Sequence, residues 1–471
     1  MSKRSILHAA AFAIAVASTP TTPLHAQQPP FSSSYDGSLL DRSTLTGNWG
    51  GTRDALATRG ITITPSFTQF YQGPTTGNTA HKFYYGAKAE AFLSIDGAKL
   101  GLWEGFGVQV KGEYNFGKTP GEVGGLTLPN NTAMFAPYQN NAGGDLTSVF
   151  FSQRFGSNAT LLAGKINIID LYSSAQRFNG GRGIERFQHM AFAAPPSGTL
   201  PVALFGAIGS YKMDPLTFSL WVYDPRETLN RSGLEDPFSE GVTIRGIVDL
   251  RSAPFGLARK DTFTTAISSY KGTDFTTLPD FGKFINSQKF RRGLVQTLIS
   301  PGGLWGANPS PPPELQLSPP SEKRGRYYFS YAFEQTLWQS FANPANAWGL
   351  FGQVAVSDGN PNAIKWGAMG GVGGTSPFAG RPYDKFGIGA FYYGYAKDLK
   401  EHLDPLVTLG DEYGMEAFYS YAVTRWFRLT ADIQVLAPAV KAQITGGPPI
   451  NPTIENNSRV VIFGLRSQVT F

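Results

Sequence analysis

The chain has 471 residues, of which 13% are aromatic and only 16% charged, with a formal net charge of +6. Low charge with many aromatics points to a membrane, since an average soluble protein carries roughly 25% charged residues. Yet mean hydropathy is −0.17, and past the N-terminus no run of about 18 apolar residues could cross a bilayer as a helix, so a helical membrane protein is excluded. The positive excess is too mild to argue for nucleic acid. Without cysteine there is no disulfide framework, thiolate nucleophile or sulfur-bound metal. A soluble β-rich protein or a closed barrel remains, because in lipid only a closed barrel satisfies every backbone N–H and C=O of its strands.

Met1 to Ala26 reads as an export signal, with Lys3 and Arg4 as its basic end, Ile6 to Ala17 as its apolar stretch and small residues after it. Residues 27–60 form an N-terminal periplasmic extension, polar and turn-rich to Leu45. Asn48 is a plausible N-cap and Gly60 a plausible C′ residue for a helix of two to three turns through Thr52, Arg53, Ala55, Leu56, Ala57 and Arg59.

From Ile61 the period becomes two. Phe106, Val108, Val110, Gly112, Tyr114 and Phe116 alternate with Gly107, Gln109, Lys111, Glu113 and Asn115, which sends one set to lipid and the other to the lumen. Phe427 to Val435 and Glu412 to Tyr421 repeat the pattern, their polar faces carrying both charge signs. The alternation predicts an all-β fold, a transmembrane antiparallel β-barrel of about 16 strands over 61–471. The strands start near Ile61, Lys82, Phe106, Leu146, Ala159, Pro201, Pro215, Glu240, Asp261, Gly325, Ala347, Asn362, Asp384, Asp411, Phe427 and Ser458. Tight turns at Gly156–Asn158, Lys212–Asp214 and Arg425–Trp426 alternate with long connections at Gly117–Asp145, Leu171–Leu200, Gly272–Arg324 and Ala439–Asn457, the short-periplasmic, long-outer arrangement of such barrels. A stiff polyproline stretch lies at Pro309–Pro320.

A soluble sandwich or propeller is the rival architecture. It would not call for aromatic clusters at strand ends such as Tyr84–Tyr85, Tyr327–Tyr328, Tyr392–Tyr393 and Trp426–Phe427, which suit interfacial girdles. The last strand ends on Phe471 in register with Val469, Leu465, Phe463 and Val461, and this terminal aromatic resembles the recognition signal of the barrel assembly machinery.

Enzymatic readings find little footing. His8 and His25 lie in the signal, and His81, His189 and His402 are scattered without metal-ligand spacing. No G-x-S-x-G elbow is present, and Gly367 to Gly374 sits in a strand pattern instead of before a helix. No carboxylate pair for glycoside hydrolysis can be chosen from spacing. No cofactor is implied.

Leu45-Thr46-Gly47-Asn48-Trp49-Gly50-Gly51-Thr52-Arg53-Asp54-Ala55-Leu56, closing with Arg59-Gly60-Ile61, closely resembles the N-terminal motif of the carbohydrate-selective porin family, the OprB type. The resemblance extends loosely through Gly97 to Gly101 and the terminal Phe471. It implies a sixteen-stranded outer-membrane barrel that passes monosaccharides through a lumen narrowed by inward-folded second and third outer loops, with arginines and a glutamate at the constriction. The second segment here offers only Lys118, Glu122 and Asp145 as charges, so the constriction has either moved or changed its preference. The third segment carries Arg177, Arg182, Glu185 and Arg186, donors and an acceptor suited to sugar hydroxyls, although such charges equally suit a solvated loop.

Along the wall, alternation predicts lumen-facing Lys88, Glu90, Gln109, Lys111, Glu113, Arg154, Lys165, Asn167, Arg245, Asp249, Glu412, Glu416, Arg428, Asp432, Arg466 and Gln468. Mixed signs favour neutral polar cargo over a strongly charged one, and any single residue here equally suits a wall-stabilising ion pair. Trp49, Gly50, Gly51, Arg53 and Leu56 are expected to cap the periplasmic mouth. Expected partners are outer-membrane lipid and lipopolysaccharide, the assembly machinery through Phe471, and small sugars such as glucose, with monomer or homo-oligomer left open. A weakly selective general porin and a secreted hydrolase or lectin are the alternatives.

Overall fold

The alternation beginning at Ile61 runs through sixteen antiparallel strands in the computed structural model, which describes residues 35–119, 123, 125–135, 142–179, 184–193, 197–278, 320–404, 407–447 and 450–471. The export signal 1–26, Glu122, Arg182 and all of the proline stretch except Pro320 lie outside the described residues. In chain order the barrel strands are β1 (Ile61–Pro74), β2 (Tyr84–Asp96), β3 (Phe106–Gly117), β4 (Ala142–Phe155), β5 (Ala159–Asn167) and β6 (Ala203–Met213). There follow β7 (Leu216–Tyr223), β8 (Thr243–Ser252), β9 (Arg259–Ser268), β10 (Arg326–Gln339) and β11 (Ala347–Ser357). The circle is completed by β12 (Ile364–Thr375), β13 (Lys385–Tyr395), β14 (Glu412–Ala422), β15 (Phe427–Ala437) and β16 (Val460–Thr470). Each strand pairs with its sequence neighbours, and β1 closes on β16 from Ser66↔Thr470 to Pro74↔Ile462. The cylinder has no free edge.

Side-chain direction follows the alternation. On β3, Tyr114 is 49% exposed on the outer face while Glu113 is 4% exposed on the inner one. Leu220, Val354, Ile388, Met415 and Leu465 likewise stand exposed on an apolar outer wall, as lipid demands. No helix among the described residues is long and apolar enough to cross a membrane.

The expected strand starts hold to within a few residues. The largest departure is β4, which begins at Ala142 and not near Leu146. A register shift sets Lys111 opposite Ser148 but Gly112 opposite Leu146, so Thr147 is an extra residue. Thr147 and Ser148 are both buried. This bulge inverts the alternation midway and hides the first four residues of the strand from a period-two reading.

The N-terminal segment lies at the short-turn end. Trp49, Gly50 and Gly51 all take positive φ, at 53°, 66° and 94°, a reversal that aims the following helix α1 (Thr52–Thr58). Arg53 is buried, donates to Thr44 Oγ1 (2.6 Å), the Gly47 carbonyl (3.1 Å) and the Phe471 carbonyl, and stacks between Trp49 (4.1 Å) and Tyr35 (4.8 Å). Leu45 N–H adds a bond to Thr470 O at 2.8 Å, while Leu56 is half-buried. Arg53→Ala is therefore expected to free residues 35–60 from β16 and cost about 2–3 kcal/mol through orphaned buried acceptors. Proteolysis of folded barrels reads this directly: cleavage should become rapid before Ile61 and stay absent within the strands.

Two small sheets top the opposite end, Gly272–Thr273 with Glu322–Lys323, and Val407–Leu409 with Val440–Gly447 and Ile450–Asn456. Their strands at 272–273, 322–323, 440–447 and 450–456 fall within the long connections Gly272–Arg324 and Ala439–Asn457.

Candidate solute pathway

The described parts of the second long loop (118–141) and third long loop (168–202) turn into the barrel. They carry the helices α2 (Thr132–Phe135), α3 (Ile168–Ala175) and α4 (Met190–Ala193). The inward charges of β2 and β3 meet them in one buried node. Lys111 Nζ lies 2.9 Å from Glu113, 2.9 Å from Asp170 on α3 and 3.3 Å from Glu90. Lys88 pairs with Glu113 and donates to the Ala133 carbonyl on α2 at 3.1 Å. On the neighbouring strands, Lys165 pairs with Asp145 at 2.8 Å, and Arg245 reaches Ser197 and Thr199 at 3.2 and 3.3 Å. These wall residues do point inward, but Lys88, Glu90, Lys111, Glu113, Lys165 and Arg245 are all buried against loops instead of bordering open water. Arg154 stands exposed beside the Gly156–Asn158 turn.

A second device recurs four times: one carboxylate accepts two consecutive backbone N–H groups. Glu412 takes Thr127 and Leu128 (2.7 and 3.1 Å), Glu416 takes Gln188 and His189, Glu334 takes Arg177 and Phe178 (2.7 and 2.9 Å), and Glu227 takes Val202 and Ala203 (2.7 and 2.9 Å). Each clamp satisfies backbone amides where a loop meets the wall, Ala203 being the first residue of β6. Arg466 answers from the other side, donating to the carbonyls of Arg186 (2.8 Å) and Ile184 (3.3 Å) and lying 3.5 Å from Asp432.

Apolar seating completes the attachment. Phe187 stacks on Phe192 at 4.3 Å and meets Phe418 and Phe351 edge-on at 5.0 and 5.5 Å. Wall glycines make the room. A Cβ on Gly387 would lie 2.7 Å from Phe187, on Gly389 2.7 Å from Phe192 and on Gly349 2.6 Å from Phe178.

What the clamps hold in place is a cluster of charge. Arg177 donates to Thr336 Oγ1 (3.3 Å) and the Pro344 carbonyl, and Arg186 donates to the carbonyls of Asn179 (2.9 Å) and Gln176. Across from the loop, Arg428 donates to the Tyr383 carbonyl (2.8 Å) with Glu185 among its electrostatic neighbours. Lys385 donates to Thr375 Oγ1 (2.9 Å) and has Arg177, Glu185, Arg186 and Arg428 around it. Among the described residues, four cations and the carboxylate of Glu185 thus gather where the third loop meets β13 and β15, with Asp384, paired to Arg381, beside Arg428. Sequence reasoning missed Lys385, the first residue of its strand, and Glu334. A period-two reading of β10 would have turned Glu334 inward with Tyr328, Ser330 and Thr336. Among the described residues no acidic, histidine or cysteine group could hold a metal.

A closed sixteen-strand cylinder, apolar outside and charged within, its bore filled by inward loops, defines a channel of the bacterial outer membrane, a porin and not an enzyme. Residues 80–471 match the model of the carbohydrate-selective porins, OprB family. The chain belongs to that family, whose members are sugar porins. Among solved structures, the high-pH structure of Pseudomonas putida OprB is similar over 92% of this chain and 100% of that one, at 16% identity and TM-score 0.70. The low-pH structure of Pseudomonas putida OprB is similar over 92% and 99%, at 13% identity and TM-score 0.51. No curated protein matches the chain.

Proposed function

We propose that the channel passes neutral monosaccharides such as glucose, and that the cluster of Arg177, Glu185, Arg186, Lys385 and Arg428 is its selective narrowing. The supporting observation is the gathering of these five side chains from a clamped loop and two strands. Guanidinium donors facing a carboxylate acceptor match the hydroxyl array of a pyranose, and clamped backbone holds them ready without reordering at each passage.

Glu185→Gln removes the carboxylate that the third loop brings to the group. Loss of a hydrogen bond to a charged acceptor costs about 1.5–3 kcal/mol, so glucose entry into proteoliposomes should slow about tenfold or more with barrel assembly unchanged. Unaltered entry would return Glu185 to a solvated loop. The excess of cations favours one other reading, a weakly anion-selective channel. Swelling assays with glucose, a disaccharide and gluconate separate the two: glucose should lead, and gluconate leading would favour the anion channel.

A further inference from the structure

On the outer face, at the long-loop rim, three rings form a continuous stack. Trp366 on β12 lies parallel to Tyr392 on β13 (5.0 Å, 19°), which lies parallel to Tyr413 on β14 (5.6 Å, 10°). Two cations stand over the end of this stack. The Lys441 ammonium is 5.5 Å from the Tyr413 ring, anchored to the Asp411 carbonyl at 2.8 Å. The Arg459 guanidinium is 5.8 Å from the same ring and donates to Tyr413 Oη at 3.3 Å. Neither forms an ion pair among the described residues. Lys400, beside them, shares Asp411 with Tyr392. Three further cations of this rim are neutralised, Arg226 by Asp224, Lys271 by Glu322 and Lys397 by Glu401.

Toward the membrane interior the same face continues as an apolar strip, with Met415 53%, Val435 39%, Phe463 45% and Leu465 53% exposed. A ligand that satisfies both parts carries a strong anion at its head and hydrocarbon below. A free anion would leave the strip unused, and a neutral lipid would leave the cations unmatched. We infer that Lys441, Arg459 and Tyr413 hold the phosphorylated headgroup of an outer-leaflet glycolipid, lipopolysaccharide in such a membrane, with its acyl chains along β14–β16. This site is separate from the bore and does not depend on which solute passes.

The full barrel, purified in detergent and examined by native mass spectrometry, tests this with bisphosphorylated lipid A, dephosphorylated lipid A and inorganic phosphate as probes. The wild type should retain the bisphosphorylated form at least tenfold more strongly than the dephosphorylated one, and millimolar phosphate should not displace it. The pair Lys441→Ala and Arg459→Ala should abolish that preference. Should the pair fail to assemble, Arg459→Gln, at an exposed position, should still lower the preference several-fold. Equal retention of both lipids by the wild type, displacement by phosphate, or an undiminished preference in an assembled variant would each overturn the assignment.

Discussion

Replacing Lys111 by alanine should release the second and third loops from the wall while the barrel stays closed. Its ammonium is the common partner of Glu90, Glu113 and Asp170, and its side chain is only 2% exposed. Without it, Glu113 keeps Lys88 as its ion-pair partner, while Glu90 and Asp170 lose the ammonium that ties them to the node. Removing one member of a buried charge group costs about 3–5 kcal/mol, because the stranded charges lose compensation without regaining water. The β2–β3 ladder, which pairs Phe92 with Lys111 through main-chain atoms, does not use the ammonium, so strand pairing survives. Single-channel recordings should show larger, flickering conductance, while heat-modifiable migration on gels remains that of a folded barrel. Steady wild-type conductance would mean that the carboxylate clamps suffice without the node.

Gly387→Ala should disturb the same loop from its apolar side. The new methyl would sit 2.5 Å from a Phe418 ring carbon and 2.7 Å from Phe187, distances that real contacts do not sustain, between two rings already packed edge-on. Overpacking of this kind costs about 1–3 kcal/mol, and the loop, having fewer bonds than the sheet, is the part that yields. Altered conductance with a lowered thermal midpoint is the expected result. Gly209→Ala is the matched control, since its nearest foreign atom is Leu220 O at 4.0 Å; it should change neither quantity. If Gly387→Ala also changes neither, Phe187 is not what fixes the loop.

The barrel was legible in the sequence because lipid imposes a rule on every second residue. Phe106 to Phe116 and Phe427 to Val435 announce two environments, and closure of β1 on β16 follows from an even count without edges. The rule fails where the ladder breaks it, as at Thr147, and it is silent about loops, whose backbone obeys no period. Hence Arg177, Glu185 and Arg186 could be noticed by composition, but their meeting with Lys385 and Arg428 depends on folding back across the bore. Arg154 stands exposed at a turn, while Lys88, Glu90, Lys111, Glu113, Lys165 and Arg245 are buried. Their burial depends on loops that alternation does not describe. Arg53 was expected at the periplasmic mouth, and its bond to Phe471 joins residues that sequence separates by nearly the whole chain.

The pairing of wall glycines with loop phenylalanines bears on how such channels can be re-engineered. A third loop transplanted from another barrel would arrive at hollows moulded for Phe178, Phe187 and Phe192, and its own residues would either leave voids there or collide. Exchange of selectivity between barrels therefore has to carry the strand positions 349, 387 and 389 along with the graft, so that cargo preference is inherited as a loop and its socket together.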